Sequence, residues 1–164
     1  MRTLISIIIV FESLFGCVNS TRALNWVAST NAPNKEWWAV ATSADGTKLV
    51  AVVYGGAIYT STNSGLTWIS NSVPTRNWYS VASSADGTKL VAAINVISSS
   101  GLGGIYSSTN GGAMWTLTIA PANLQSWDSI ASSTDGTKLV VAGLMLQHMP
   151  TKFTPRMIQE TLGI

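Results

Sequence analysis

The sequence predicts an all-β fold made of repeated four-stranded antiparallel sheets, and three observations predict it. A segment that opens on Trp and contains Asp-Gly occurs three times, at Trp37–Val53, Trp78–Ile94 and Trp127–Gly143. A polar octet that ends on Trp follows the first two copies, as STNSGLTW (Ser61–Trp68) and STNGGAMW (Ser108–Trp115). The composition, with 14 Gly, 7 Trp and only 10% charged residues, favours short strands and tight turns over helices.

The first predicted strand of each unit begins at the repeated Trp and is represented by Trp78–Ser84. Alternation places Tyr79, Val81 and Ser83 on one face and Trp78, Ser80 and Ala82 on the other. Neither face carries a charge, and most of the side chains are small. We therefore expect this strand to be covered on both faces by neighbouring sheets.

A tight hairpin is predicted after each first strand, at Asp45-Gly46, Asp86-Gly87 and Asp135-Gly136, which are 41 and 49 residues apart. Asp tolerates the left-handed backbone conformation, and Gly adopts it at almost no steric cost. In the second unit the following strands are predicted at Leu90–Ile94 and Gly104–Ser108. The octet forms the next turn, and the fourth strand begins near Met114-Trp115.

Four short strands that recur every 41 to 49 residues are typical of a β-propeller blade. The predicted blade units are 26–68, 78–115 and a partial unit at 127–143, and Trp26 lies where a fourth-strand Trp is expected. The tail 144–164 contains neither the octet nor the Gly-rich strand that precedes the octet in the first two units. The sequence therefore predicts about two and a half blades and a divergent tail.

The octets carry a family resemblance. They resemble the Asp-box, or BNR repeat, whose pattern is Ser-x-Asp-x-Gly-x-x-Trp. The matching positions are Ser61, Gly65 and Trp68 in the first octet and Ser108, Gly112 and Trp115 in the second; Asn63 and Asn110 replace the usual Asp. An Asn side chain can make the same bonds to the backbone of a turn. Such boxes occur in sialidases, sortilin-type receptor ectodomains and photosystem II assembly factors. The resemblance implies that the octets are structural turns at the blade periphery, away from the ligand face.

The number of blades leaves three alternatives open, because closed propellers have about 4 to 8 blades. Several chains could assemble into one ring through open blade faces. The chain could be an open stack of sheets that binds a partner. It could also be the product of a truncated or misread gene, which the change of character after Gly143 favours.

The N-terminus predicts export. Residues 1–20 combine a positive start, an apolar run and a small residue at Ser20, as in a cleaved secretory signal. The sequence LFGC, which ends on Cys17, offers a lipid anchor as the alternative. Cleavage after Ser20 leaves a mature chain with no cysteine, no disulfide and no membrane span.

Few residues are candidates for chemistry. Asp128 aligns with Trp38 and Tyr79 in the first strands, so it is either a ligand contact at the propeller mouth or an exposed strand start. Arg76, in the link before Trp78, is either a second ligand contact or a solvated loop charge. We predict no catalytic residue and no cofactor. The single histidine, His148, has no neighbouring ligand, so we predict no metal site either.

The predicted function is a non-catalytic, secreted structural or binding module for a protein or a glycan. The alternative is a sialidase-like exo-glycosidase fragment that lacks its catalytic blades, since the clustered arginines and the paired carboxylates of such enzymes are missing. A net charge of +2 gives no support to a nucleic-acid partner.

Overall fold

The computed structural model describes residues 9–10, 27–29, 31–95, 103–118, 126–144 and 156–161. Within these ranges the regular elements are all β-strands. Two short strands near the N-terminus, β1 (Ile9–Val10) and β2 (Val27–Ala28), pair antiparallel. The other strands form three sheets that follow one another along the chain.

The first and second sheets each contain four antiparallel strands in chain order. The first consists of β3 (Trp37–Thr42), β4 (Leu49–Val53), β5 (Ile58–Ser61) and β6 (Ile69–Ser70). The second consists of β7 (Trp78–Ser83), β8 (Leu90–Ile94), β9 (Ile105–Ser108) and β10 (Thr116–Thr118). The first three strands of this unit agree with the predicted bounds to within one residue. The fourth begins after Trp115, because the Met114 N–H is still held by the octet turn, where it donates to Asn110 Oδ1 at 2.8 Å.

The third sheet consists of β11 (Ser126–Ser132), β12 (Lys138–Leu144) and β13 (Arg156–Thr161). β13 comes from the tail that has no repeat sequence. Its register pairs Leu139 with Glu160, as Leu90 pairs with Ser108 in the second sheet. The tail therefore supplies the third strand of this blade, since ladder bonds use the backbone and do not require the repeat side chains.

In each first strand a β-bulge lies at the residue directly after the repeated Trp. The register shifts between Trp37 and Ala39 in β3, between Trp78 and Ser80 in β7, and between Trp127 and Ser129 in β11. One extra residue moves the side chains before it to the opposite face relative to those after it. The predicted alternation is therefore wrong at Trp78, which packs in one cluster with Val81 and not with Ala82.

Two apolar clusters fill the spaces between the sheets. We call the face of each sheet toward the preceding sheet its near face, and the opposite face its far face. The far face of the first sheet and the near face of the second share one cluster, which includes Val50, Val52, Trp78 and Val81. The far face of the second sheet and the near face of the third share the other, which includes Ala82, Val91, Trp127 and Ile130.

The sheets converge at their first strands. The contacts between sheets are made mainly by β3, β7 and β11, together with the second strands β4 and β8. The first strands thus form the inner edge of the stack, and the third and fourth strands lie farther out. This is the arrangement of consecutive β-propeller blades, in which the first strand of each blade lies nearest the axis. Trp26, Cys17 and His148 lie outside the described residues.

Candidate functional site

The three bulged residues of the first strands, Trp38, Tyr79 and Asp128, form the candidate site, which we call the bulge row. They hold the same position in successive sheets, near the start of the inner strands. This end of the sheets is opposite the Asp-Gly hairpins. A bulge redirects the side chain of its extra residue, and bulges are frequent beside active sites. The row places two aromatic rings and one carboxylate along the inner edge of the stack.

The aromatic part of the row is centred on Trp38. Its ring centroid lies 4.9 Å from that of Tyr79 and 5.1 Å from that of Tyr54, with tilted planes in both pairs. Trp38 is nevertheless 49% exposed, although it is one of the largest side chains in the protein. The two tyrosine rings hold the indole in place while it faces solvent. A rigid exposed aromatic of this kind can stack on a sugar ring or on an apolar side chain of a partner.

The polar part of the row is the pair Asp128 and Asn95. Asp128 is exposed and its Oδ1 accepts a hydrogen bond from Asn95 Nδ2 at 2.9 Å. Asn95 is buried directly after β8, at the position that Tyr54 holds after β4. Its Oδ1 is buried without a hydrogen-bond partner among the described residues. Leaving a buried acceptor unsatisfied costs about 1–3 kcal/mol.

Arg76 lies at the same end of the sheets as the bulge row. Its N–H donates to Gly56 O at 3.2 Å, so the link before β7 is fixed to the turn between β4 and β5. The guanidinium is exposed, and Nη1 donates to Thr75 O at 3.0 Å. Gly56 O also accepts from Trp78 Nε1 at 3.1 Å. The backbone of Arg76 thus has a defined place, and a ligand role for its side chain remains a prediction.

The Asp-Gly residues form turns at the opposite end. Only the glycines Gly46, Gly87 and Gly136 have positive φ, at 72°, 67° and 68°. The expectation that each Asp would adopt the left-handed conformation is wrong, because the Asp serves as an acceptor. Asp45 Oδ1 accepts from Ser43 Oγ at 2.6 Å and from the Thr47 N–H at 3.0 Å. The same bonds recur at the other two hairpins, around Asp86 and Asp135.

These hydrogen bonds lower the pKa of the hairpin carboxyls. The pKa of Asp45 falls to about 2, mainly through the hydrogen bond from the Ser43 hydroxyl and next through the Thr47 N–H and hydroxyl. The pKa of Asp86 and that of Asp135 are lowered further by their equivalent serines and threonines. All three residues are exposed. Strongly ionised turn carboxylates of this kind stabilise the loop and are unsuited to proton transfer near neutral pH.

The two octets form turns with equivalent hydrogen bonds. Ser61 Oγ accepts from the Gly65 N–H at 2.9 Å and donates to Asn63 Oδ1 at 3.0 Å, and Asn63 Oδ1 accepts from the Thr67 N–H at 2.9 Å. In the second octet Ser108, Asn110 and Gly112 make the equivalent bonds at 2.8 to 3.0 Å. Trp68 and Trp115 end these turns, each with a buried Nε1 that has no hydrogen-bond partner in the described part of the chain. The octet side chains are thus engaged with their own turns.

The octets also receive a contact that the sequence reasoning missed. Asn71 Nδ2 donates to Gly112 O of the next octet, and Ser29 Oγ donates to Gly65 O at 3.1 Å. Each donor stands three residues after a repeated Trp, at Trp26 and Trp68, and Thr118 holds the same place after Trp115. A polar residue at this fixed spacing was the signal. At Asn71 it joins the end of one unit to the octet of the next, whereas Thr118 Oγ1 donates to Ile105 O of its own sheet at 2.7 Å.

The hairpin and octet end of the molecule contains a cleft of about 190 Å³ between the first and second sheets. Its lining includes Lys48, Thr62, Thr88 and Asn110. This volume is below the roughly 300–1,000 Å³ of a typical small-molecule site. Among the described residues, no group of His, Cys, Asp and Glu is arranged to hold a metal ion. That part of the chain also contains no helix that is long and apolar enough to cross a membrane.

No family model matches the chain, and no curated protein matches it significantly. Among solved structures the chain is similar to hydrazine synthase of Kuenenia stuttgartiensis, with TM-score 0.59 and 16% identity, over 75% of this chain and 38% of that one. It is similar to an ancestral GH74 enzyme, with TM-score 0.56 and 21% identity, over 74% and 18% of the two chains. It is also similar to YCF48 bound to D1 peptide, with TM-score 0.55 and 12% identity, over 66% and 34%.

These likenesses show the fold, which is that of a β-propeller. The chain spans less than two fifths of the length of each of the three structures. The described sheets therefore correspond to a partial propeller of two four-stranded blades and one three-stranded blade.

Proposed function

We propose that this protein is a non-catalytic β-propeller binding module that contacts its ligand, a protein or a glycan, through the bulge row. The observation that carries the proposal is the exposure of Trp38 between two tyrosine rings on the inner edge of the stack. Asp128, which accepts from Asn95 Nδ2, adds an exposed carboxylate to the same row. Large rigid aromatics with a few polar groups are the usual composition of binding hot spots.

The structural neighbours support both ligand classes. YCF48 was solved bound to the D1 peptide, which supports a peptide or protein ligand on this fold. Two other neighbours are GH74 enzymes, one of them a xyloglucanase from Xanthomonas campestris, similar to this chain with TM-score 0.53. These neighbours support a glycan ligand.

A glycosidase fragment is the second candidate function. Glycoside hydrolysis usually requires two carboxyl groups at a defined separation. Two exposed carboxylates lie at the bulge-row end of the described residues. One is Asp128 in the third sheet, and the other is Glu36, directly before β3 in the first sheet. They belong to sheets that are not adjacent, and the hairpin carboxyls are at the other end. We therefore favour binding over hydrolysis.

Binding is tested on the full 164-residue chain with a glycan array and a phage-displayed peptide library as probes. We expect ligands from one of the two, and at least about tenfold weaker binding for Trp38→Ala, because truncation of a hot-spot aromatic costs about 2 kcal/mol or more. Ile69→Ala is the matched control, since Ile69 is an exposed apolar residue on the outer strand β6. Equal weakening by both variants would contradict the proposed site.

Hydrolysis is tested with a fluorogenic sialoside and with xyloglucan. We expect no turnover of either substrate by the wild-type chain. Turnover that Asp128→Asn abolishes would instead favour the glycosidase.

Export is part of the same proposal. The predicted signal, 1–20, lies outside the described residues except for β1. Its support is therefore the sequence pattern alone. Expression in a secreting host should yield a product that begins at Thr21, as checked by N-terminal sequencing. A lipid-modified Cys17 in that product would show the anchored alternative.

A further inference from the structure

The third sheet has an open outer edge. In the first two sheets the third strand pairs on both sides, with the second strand and with a short fourth strand. β13 holds the third place in its sheet, and among the described residues it pairs with β12 alone. An unpaired strand edge presents a row of backbone N–H and C=O groups to which another extended segment can bind. The outer edge of β13 is therefore a candidate binding surface.

The register identifies which part of β13 would be paired. Leu139 pairs with Glu160 as Leu90 pairs with Ser108, so the segment 157–159 of β13 holds the place of 105–107 in β9. The segment 105–107 pairs with all three residues of β10, and β5 pairs with the two residues of β6. Two or three residues of extended backbone therefore suffice to give the third sheet a fourth strand.

Alternate residues of this segment face the open edge. In the first sheet the Asn71 N–H donates to Ile58 O at 2.9 Å, so the backbone of Ile58 faces the fourth strand. Ile58 holds the place of Met157. Since every second residue of a strand bonds to the same neighbour, Met157 and Gln159 direct their N–H and C=O groups outward, and Ile158 directs its own to β12.

The edge carries none of the features that usually block strand pairing. Natural edge strands are protected by lysine, proline or a β-bulge. The segment 157–159 contains no charge and no proline, and β13 pairs with β12 in one continuous register. The charged residues of β13, Arg156 and Glu160, lie on either side of that segment. The strands β5 and β9, which are paired on both sides, are uncharged as well.

Each octet also brings a Trp to the core of its own sheet, directly before the fourth strand. The ring centroid of Trp68 lies 5.7 Å from that of Trp37, and Trp115 packs against the cluster that contains Trp78. The third sheet has the equivalent first-strand residue, Trp127, in the cluster it shares with the second sheet. No such second Trp of the described chain packs against that cluster. A segment on the edge of β13 would bring one to it.

We propose that the outer edge of β13 binds an extended segment of a partner protein, which adds to the third sheet as an antiparallel fourth strand. The chain itself indicates the chemistry of that segment. At Trp68–Asn71, Trp115–Thr118 and Trp26–Ser29 it contains Trp followed three residues later by Ser, Thr or Asn. In strand addition, backbone hydrogen bonds supply affinity and side chains supply selectivity. The partner segment therefore has the form Trp-x-x-Ser, with Thr or Asn as equivalents of Ser.

The segment comes from another protein because the described segments of this form are already engaged. β6 and β10 are paired in the first and second sheets, and β2 is paired with β1. The bond from Ser29 Oγ to Gly65 O also holds the end of β2 at the first sheet. A second copy of the chain would have the same segments engaged.

Peptide binding to the full 164-residue chain tests the proposal. The probe is a synthetic peptide of residues 113–119, AMWTLTI, with blocked ends. We expect it to bind, as measured by fluorescence anisotropy, and to slow amide exchange at Met157 and Gln159, which face outward, more than at Ile158. Trp115→Ala in the peptide should weaken binding at least about tenfold, because a buried aromatic dominates contacts of this kind.

Two variants at one position separate strand pairing from side-chain contact. Gln159→Pro removes an outward N–H, which an edge strand tolerates because its bonds to the neighbouring strand remain. Peptide affinity should fall at least about tenfold, because a ladder hydrogen bond and the fit of the backbone are lost together. Gln159→Ala keeps the N–H and should bind like the wild type. Equal affinities of the two variants, or no binding to the wild type at about 1 mM peptide, would overturn the proposal.

The exchange measurement keeps the test decisive if Gln159→Pro does not fold, since it uses the wild-type chain. Protection at Ile158 without protection at Met157 and Gln159 would contradict strand addition. Self-association of the chain that the peptide abolishes would show that a second copy occupies the edge, and would overturn the choice of a partner protein. The test does not involve Trp38, so its outcome is independent of the function proposed for the bulge row.

Discussion

At the scale of single residues, hydrogen-bond acceptors define the turns of this protein. Each Asp-Gly hairpin is closed by a carboxylate that accepts from a serine before it and a threonine after it, as Asp45 does from Ser43 and Thr47. Each octet is closed by an asparagine oxygen in the corresponding role, such as that of Asn63. The geometry of each turn therefore depends on one oxygen acceptor. Only the hairpin acceptors are carboxylates, so only they are protonated as the pH falls.

Stability should consequently fall in acid. The hairpin carboxyls have lowered pKa values in the fold, about 2 for Asp45 against an ordinary value of 3.8. Their contribution is complete above the unfolded pKa and is lost as the pH falls through the folded pKa. We expect the thermal midpoint to be flat from pH 6 to about 5 and to decline between about pH 4 and 2. Asp86→Asn should lower the midpoint at pH 6 and reduce the acid-dependent decline, and an unchanged decline would contradict this cause.

The octets provide a second prediction at the residue scale. Ser64 has a φ of 56°, and the equivalent position in the second octet is Gly111, with a φ of 67°. A non-glycine residue in this conformation costs about 1 kcal/mol or more. Glycine avoids this cost, but it also raises the conformational entropy of the unfolded chain, which offsets part of the gain in stability. Ser64→Gly should therefore raise the free energy of unfolding by up to about 1 kcal/mol, and Gly111→Ser should lower it. Urea denaturation measures both, and opposite signs would show that φ does not control these positions.

At the scale of elements, the hairpins of adjacent sheets act as one stacked unit. Lys48 donates to Asp86 O of the next hairpin, and Lys89 covers Gly136 of the hairpin after that. The glycine beneath each lysine is required both for its positive φ and for the lack of a side chain. Each hairpin therefore contributes to the contact between two sheets.

Two glycines separate these requirements. Gly87→Ala would place a methyl group 2.9 Å from Lys48 Cβ, whereas Gly55→Ala, at a similar φ of 65°, would meet nothing closer than Asn77 Oδ1 at 3.9 Å. Gly55→Ala should cost only the backbone strain, about 1–2 kcal/mol. Gly87→Ala should cost roughly 1–3 kcal/mol more, from overpacking of the hairpin stack. Equal losses of unfolding free energy in urea would indicate that the stack adds nothing to stability.

The sequence predicted the elements well and their side-chain faces less well. Repeated Trp and Asp-Gly positions defined the strands of the first two sheets, because both features are local. The bulges at Trp38, Tyr79 and Asp128 were not predictable from alternation, since the extra residue is recognised only through its partner strand. β13 was missed for a related reason, because an edge strand is held by backbone bonds without any repeat pattern. The position of Asp128 in the bulge row was predictable only as an alignment with Trp38 and Tyr79.

At the scale of the whole molecule, stability should be distributed unequally along the stack. In repeat architectures each unit is stabilised mainly by its neighbours. The second sheet has a neighbour on both faces, and all five residues of β8 are buried. The far face of the third sheet is more open, since Ala131 is exposed and Val140 and Ala142 are only partly buried. The second sheet is therefore expected to be more stable than the third.

Amide hydrogen exchange measures this distribution, because the most slowly exchanging amides report the largest opening free energies. In dilute protein, Ala92 of β8 should exchange more slowly than the equivalent Val141 of β12, although both pair within their sheets. Exchange in β12 as slow as in β8 would contradict an open far face on the third sheet.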